Sequence, residues 1–108
     1  MSEVTLSKLS HCEPGDKCWQ LIEQGAIVID VRSPQEFAGG HLPQAVNVPL
    51  DTLATWVARV SNPQQIFLLY CGAGIRAQKG CDILSASGLP SVVNAGALND
   101  LLACEPRR

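Results

Sequence analysis

A cysteine, two glycines and an arginine lie close together in the run Cys71-Gly72-Ala73-Gly74-Ile75-Arg76. The apolar residues 66–70 before this run are typical of a buried strand, and a helical pattern begins after it. The N–H groups of a tight turn and the unpaired N–H groups of a helix start can converge on an anion. A thiolate is such an anion, so we expect Cys71 to be a better nucleophile at neutral pH than a free thiol. Arg76 adds a permanent positive charge beside it.

A second polar stretch precedes this loop by about forty residues. It reads Asp30-Val31-Arg32-Ser33-Pro34-Gln35-Glu36-Phe37 and continues with Gly40-His41-Leu42 and Ala45-Val46-Asn47-Val48-Pro49. Together the two stretches resemble the two signatures of the rhodanese (thiosulfate:cyanide sulfurtransferase) family, whose active-site loop has the pattern Cys-x-x-Gly-x-Arg. The resemblance covers about residues 26 to 101 and implies a small single-domain rhodanese fold.

The resemblance also implies roles for the residues of the loop. We expect Cys71 to be the nucleophile that carries the sulfur, and Arg76 to order the loop or to attract the anionic donor. The substrate-binding groups are then the main-chain N–H groups between them, which belong to Gly72, Ala73, Gly74 and Ile75.

The second stretch is expected to support this loop. Ser33 and Glu36 form a capping-box pattern at the start of a short helix, so Glu36 caps that helix. The resemblance adds a second role, in which the acidic residues of this segment form ion pairs that hold the active-site arginines in place, so Asp30, Arg32 and Glu36 are candidate supporting residues. For His41 we favour a structural histidine hydrogen-bonded to loop backbone over a catalytic base.

Strand patterns alternate with helical patterns along the chain, which predicts an α/β fold with a parallel sheet and helices on both faces. We predict five strands, at residues 4–6, 26–31, 46–48, 66–70 and 91–93. The helices are predicted from Pro14 to Gly25, from Ser33 to Gly40, from Leu50 to Val57, along the stripe Ala77, Gly80, Cys81 and Leu84, and from Asn94 onwards. Ligands of such sheets bind beyond the carboxyl ends of the strands, where Asp30, Arg32 and Cys71 all arrive.

Composition is consistent with a single domain spanning residues 1–108. The 108 residues are 46% hydrophobic and 17% charged, which is typical of a globular chain. A net charge of −2 without a basic cluster gives no reason to expect nucleic acid as a partner, and no apolar run is long enough to cross a membrane. The first residues lack the pattern of a secretory signal, so we expect a cytoplasmic protein.

The five cysteines are Cys12, Cys18, Cys71, Cys81 and Cys104. An odd number without an export signal argues against a disulfide framework, and no second pair at zinc-finger spacing completes a metal site with Cys12 and Cys18. Cys18 and Cys81 lie on apolar helical stripes and are predicted to be core residues. We expect no metal and no cofactor.

The predicted activity is sulfur transfer from thiosulfate or a similar small anion, through a Cys71 persulfide, to cyanide or to a thiol or dithiol acceptor such as a thioredoxin-like protein. Two alternatives stay open. The first is a phosphatase or an arsenate reductase, since protein tyrosine phosphatases also use a cysteine and an arginine around an anion cradle. Their loop has five residues between the two, whereas four stand here. Rhodanese-like domains also serve as non-catalytic binding modules, although those usually lack the cysteine.

Overall fold

The structure, a computed structural model, describes residues 15–106. Four β-strands alternate with five α-helices, and short 3₁₀ turns flank the third helix. The strands are β1 (Ile27–Asp30), β2 (Ala45–Asn47), β3 (Phe67–Cys71) and β4 (Val92–Ala97). The helices are α1 (Gly15–Glu23), α2 (Pro34–Ala38), α3 (Leu53–Trp56), α4 (Ile75–Ala86) and α5 (Leu98–Ala103). No helix within this part of the chain is long and apolar enough to span a membrane.

The four strands form one parallel sheet in the order β2-β1-β3-β4. All five residues of the apolar strand β3 are buried, as expected for a central strand that is covered on both faces. The α/β rhodanese fold class is confirmed, and the described part of the sheet has four strands. The fifth predicted strand, at residues 4–6, and the predicted helix start at Pro14 lie outside the described residues.

The core is divided by the sheet into two layers. One cluster packs α3 and α4 against one face, with Cys81 fully buried inside it. The other cluster packs α1 and α5 against the opposite face and includes Cys18, which is also fully buried. The interpretation of both cysteines as core residues and the prediction of helices on both faces are therefore confirmed.

The last strand corrects one sequence prediction. We predicted a strand at residues 91–93 and a helix opening at Asn94, but β4 continues to Ala97 and α5 begins at Leu98. Leu69 pairs with Asn94 while Tyr70 pairs with Gly96, so one extra residue bulges out of β4 between them. Asparagine and glycine usually interrupt strands, but here pairing with β3 and the bulge accommodate both.

Candidate functional site

Cys71 is the last residue of β3, and α4 begins four residues later at Ile75. Its side chain lies under the turn that joins them, and the residue is only 1% exposed. The Sγ atom accepts main-chain N–H hydrogen bonds from Gly74 at 2.9 Å and from Ala77 at 3.3 Å. The sulfur atom therefore lies against main-chain donors, where negative charge on it is stabilised.

Ala77 is a donor that the sequence prediction missed. It is the third residue of α4, and the N–H groups of the first helical turn have no partner inside the helix. The predicted position of Ala77 in the first turn of a helix was therefore the sequence signal that could have identified it as a donor. The N–H groups of Ile75 and Arg76 belong to the same turn, and neither has a main-chain or side-chain acceptor within residues 15–106. These two N–H groups are therefore free to donate to an acceptor outside the protein chain.

Gly74 requires glycine because of its backbone conformation. Its φ of 93° lies in the left-handed region, which residues with a Cβ adopt only under strain. A Cβ at this position would also lie 3.4 Å from the Cα of Gly96 in β4. The close approach of these two glycines brings the loop against the bulge of the last strand.

The other predicted loop residues line the outside of the turn. Gly72 and Ala73 are exposed, and the Ile75 side chain is 69% exposed. The Arg76 side chain passes close to Gly72, since a Cβ on Gly72 would be in van der Waals contact with an Arg76 guanidinium nitrogen, at 3.5 Å. The loop thus contributes main-chain groups and small or apolar side chains, and its only charge is that of Arg76.

The charge of Arg76 is paired with Glu36. The two guanidinium Nη atoms donate to the two carboxylate oxygens at 2.8 and 3.1 Å, although both side chains are about 40% exposed. Glu36 also accepts the Ser33 N–H at 3.0 Å, which completes the predicted capping box of α2. Hydrogen bonds from Arg76, and then from the Ser33 backbone, lower the pKa of Glu36 to about 2. Glu36 therefore both caps α2 and joins it to the start of α4.

Asp30 and Arg32 form a second, buried ion pair at the end of β1. Asp30 is fully buried and accepts hydrogen bonds from the Arg32 main-chain N–H and from its guanidinium, the shortest at 2.8 Å. Hydrogen bonding to Asp30 raises the pKa of Arg32, whose Nη2 also donates to the Gly40 carbonyl at 2.6 Å. Asn47 donates to the main-chain carbonyls of Asp30 and Arg32. This pair orders the loop between α2 and β2 and makes no hydrogen bond to the Cys71 sulfur.

His41 lies in the same loop and has the surroundings of a structural histidine. Its Nδ1 atom is 2.8 Å from the Leu42 carbonyl oxygen, and its ring stacks on Phe37 with a centroid distance of 3.6 Å. Because the side chain is exposed and stacked, its position is explained by the shape of the loop.

Asn94 contacts the loop from β4 and was not among the predicted site residues. Its Nδ2 donates to the Gly74 carbonyl and to Gln78 Oε1, both at 3.2 Å, and its Oδ1 accepts the Gly96 N–H at 2.8 Å. The sequence signal was an asparagine two residues before a glycine in a predicted helix start, which gave no indication of a contact with a loop twenty residues earlier.

Comparison with known proteins agrees with this geometry. Residues 15–99 match the sequence profile of the rhodanese-like domain. The thiosulfate sulfurtransferase PspE of Escherichia coli K12 is 35% identical over 74 residues, which are 68% of this chain and 71% of that protein. The thiosulfate sulfurtransferase GlpE of Pseudomonas syringae is 29% identical over 79 residues, or 73% of this chain and 74% of that protein.

Solved structures show the same relationship. A rhodanese with anions from E. coli superposes with a TM-score of 0.67 at 34% identity, covering 70% of this chain and 91% of that one. A human single-domain sulfurtransferase shares the fold, with a TM-score of 0.76 at 24% identity over 88% of this chain and 97% of that one. The family profile matches most of the chain, a relative is more than one-third identical to it, and the predicted cysteine lies at the end of β3. This chain is therefore a member of the rhodanese family.

Proposed function

We propose that this protein is a sulfurtransferase that moves sulfane sulfur from thiosulfate, or a similar small anionic donor, to cyanide or a thiol acceptor. In the first step the Cys71 thiolate attacks the outer sulfur of thiosulfate, and the S–S bond of the donor breaks to release sulfite. In the second step cyanide attacks the outer sulfur of the Cys71 persulfide, which releases thiocyanate and regenerates the thiolate. The two steps consume one thiosulfate and one cyanide and need no oxidant.

The observation that carries this proposal is the set of main-chain donors around the Cys71 sulfur. Gly74 and Ala77 already donate to Sγ, and the unpaired N–H groups of Ile75 and Arg76 belong to the same helical turn. A thiolate and a persulfide are both anions, so the same donors favour the attacking and the sulfur-loaded form of the protein. The relatives named as thiosulfate sulfurtransferases support the same chemistry.

The roles that we propose follow the contacts. Cys71 is the nucleophile, and the proposed cradle consists of the main-chain N–H groups of residues 72–77. Arg76 orders the loop through Glu36, because the bidentate pair of guanidinium and carboxylate carries no net charge that would attract an anionic donor. Asp30, Arg32 and His41 support the neighbouring loop at the same edge of the sheet.

The proposed acceptor in a cell is a thiol or dithiol, such as that of a thioredoxin-like protein. Cys71 is 1% exposed, so an acceptor reaches the outer persulfide sulfur more easily than Sγ itself. Attack of an acceptor thiolate on that outer sulfur transfers it and leaves the Cys71 thiolate. A second thiol of a dithiol acceptor then releases the sulfur as hydrosulfide and closes a disulfide.

The test is thiosulfate-dependent thiocyanate formation by the wild type, Cys71→Ala and Cys104→Ser. Cys104 is a matched control, since it is also a free cysteine but is exposed on the segment after α5. We expect full activity for Cys104→Ser and none for Cys71→Ala, and turnover by Cys71→Ala would contradict the mechanism. A chromogenic phosphomonoester, offered to the same preparations, tests the phosphatase alternative, and hydrolysis as fast as sulfur transfer would favour that alternative.

A further inference from the structure

Asn94 is a buried polar residue whose three hydrogen bonds all serve the surroundings of the Cys71 loop. The residue is 5% exposed, so an unsatisfied amide here would be costly. Its Oδ1 atom accepts the Gly96 N–H at 2.8 Å, which fixes the amide orientation and turns Nδ2 towards the loop. Nδ2 then donates to the carbonyl oxygen of Gly74 and to Gln78 Oε1.

The Gly74 carbonyl is held from two directions. Asn94 Nδ2 donates to it at 3.2 Å, and the Gln78 main-chain N–H donates at 3.1 Å. The peptide bonds of the described residues are all trans, so the carbonyl of Gly74 and the N–H of Ile75 lie in one peptide plane and point in opposite directions. With the carbonyl turned to β4, the Ile75 N–H must point away from β4. A flipped peptide would exchange this donor for a carbonyl oxygen.

The bulge in β4 explains why an asparagine can make these contacts. The extra residue between the pairs Leu69–Asn94 and Tyr70–Gly96 changes the local direction of the strand. Gly96, with a φ of 83°, lies so close to Gly74 that a Cβ on Gly74 would be in van der Waals contact with the Gly96 Cα, at 3.4 Å. The loop and the bulge are therefore in direct contact, and Asn94 bridges them.

We propose that Asn94 is a positioning residue for the Cys71 loop. It fixes the peptide plane between Gly74 and Ile75, so that the N–H groups of this turn face the sulfur. It touches neither the sulfur nor a substrate and acts through the Gly74 carbonyl. The consequence for sulfur transfer rests on the proposed function, whereas the effect on the Cys71 thiolate does not.

Two substitutions separate the contributions of shape and charge. Asn94→Asp keeps the acceptor for the Gly96 N–H but turns a carboxylate oxygen towards the Gly74 carbonyl and Gln78 Oε1. Asn94→Ala adds no charge and removes all three contacts. Gln65→Ala is the control, because its amide donates to the Gly25 carbonyl at 2.7 Å, before the start of β1 and thus at the other end of the sheet.

The measurement is the rate of Cys71 alkylation by iodoacetamide, followed on the Cys71 peptide by mass spectrometry. The rate at about pH 7 is divided by the rate at about pH 10, where thiols are largely ionised, so that accessibility cancels. In both Asn94 variants the Gly74–Ile75 peptide is no longer held from β4, so we expect the turn to lose a main-chain hydrogen bond to the Cys71 thiolate and the ratio to fall about tenfold. The ratio should stay unchanged in Gln65→Ala. If the folded Asn94→Ala variant has the same ratio as the wild type, the proposal is overturned, whatever ratio Asn94→Asp gives.

The same assay distinguishes this inference from the proposed function, since alkylation requires no sulfur donor. A wild type that transfers no sulfur, with the Asn94 effect intact, would refute the activity and support the positioning role. If the variants fail to fold, NMR spectra of the wild type test whether the Asn94 side chain contacts the loop. Nuclear Overhauser contacts from the Asn94 side-chain amide protons to Gly74 and Gln78 support the proposal, and their absence overturns it.

Discussion

Replacement of Gly74 by alanine tests whether the loop needs its left-handed residue. At a φ of 93°, alanine costs about 1–2 kcal/mol relative to glycine. The new Cβ would lie 3.4 Å from Gly96 Cα, which is the edge of ordinary contact and adds little. The chain can escape the strain only by rotating the residue, and this rotation would turn the Gly74 N–H away from the sulfur that it now approaches at 2.9 Å.

Gly88 provides a matched control for this substitution. It follows α4 with a φ of 96°, and a Cβ there would meet nothing within 4 Å. Urea unfolding should therefore show a similar loss of about 1–2 kcal/mol for Gly74→Ala and Gly88→Ala. Thiocyanate formation should fall about tenfold to a hundredfold in Gly74→Ala alone, because that variant loses a donor to an anion. Equal activities of two equally destabilised variants would refute the reasoning.

Two further substitutions test the surroundings of the loop. Glu36→Gln keeps the capping box, since glutamine also accepts the Ser33 N–H, but it removes the charge paired with Arg76. Because the pKa of Glu36 is lowered from 4.5 to about 2, its stabilising effect is present above about pH 4.5 and is lost as the pH falls through about 2. The difference in thermal midpoint between wild type and variant should therefore be constant above about pH 4.5 and should shrink as the pH falls towards about 2. A difference that grows on acidification would contradict the ion pair. Tyr70→Phe leaves the buried Leu42 N–H without the hydroxyl that now accepts it at 3.1 Å. Urea unfolding should show a free energy of unfolding lower by about 1–3 kcal/mol. An unchanged urea midpoint would argue against this hydrogen bond.

Local patterns were sufficient to place the Cys71 loop. An apolar run followed by two glycines and a helical stripe predicts a strand, a turn and a helix, and the structure has β3, the turn and α4 in those places. The capping box of Ser33 and Glu36 was likewise predictable from its spacing, because its hydrogen bonds join residues three apart.

Contacts between distant segments were not predictable from local patterns. Glu36 and Arg76 are forty residues apart, and only the resemblance to a family suggested an ion pair of this kind. Asn94 was missed because its role depends on a bulge that forms only when β4 pairs with β3. Because β4 pairs with β3, the strand continues past Gly96, in a segment that the local sequence pattern assigned to the start of a helix.

The central claim is that the Cys71 sulfur carries the transferred sulfur atom. Intact-mass measurement of the protein after incubation with thiosulfate, followed by peptide mapping, tests it most directly. We expect one added sulfur atom, located on Cys71 and removed by cyanide. An unchanged mass, or an added sulfur on Cys104 with Cys71 unmodified, would contradict it.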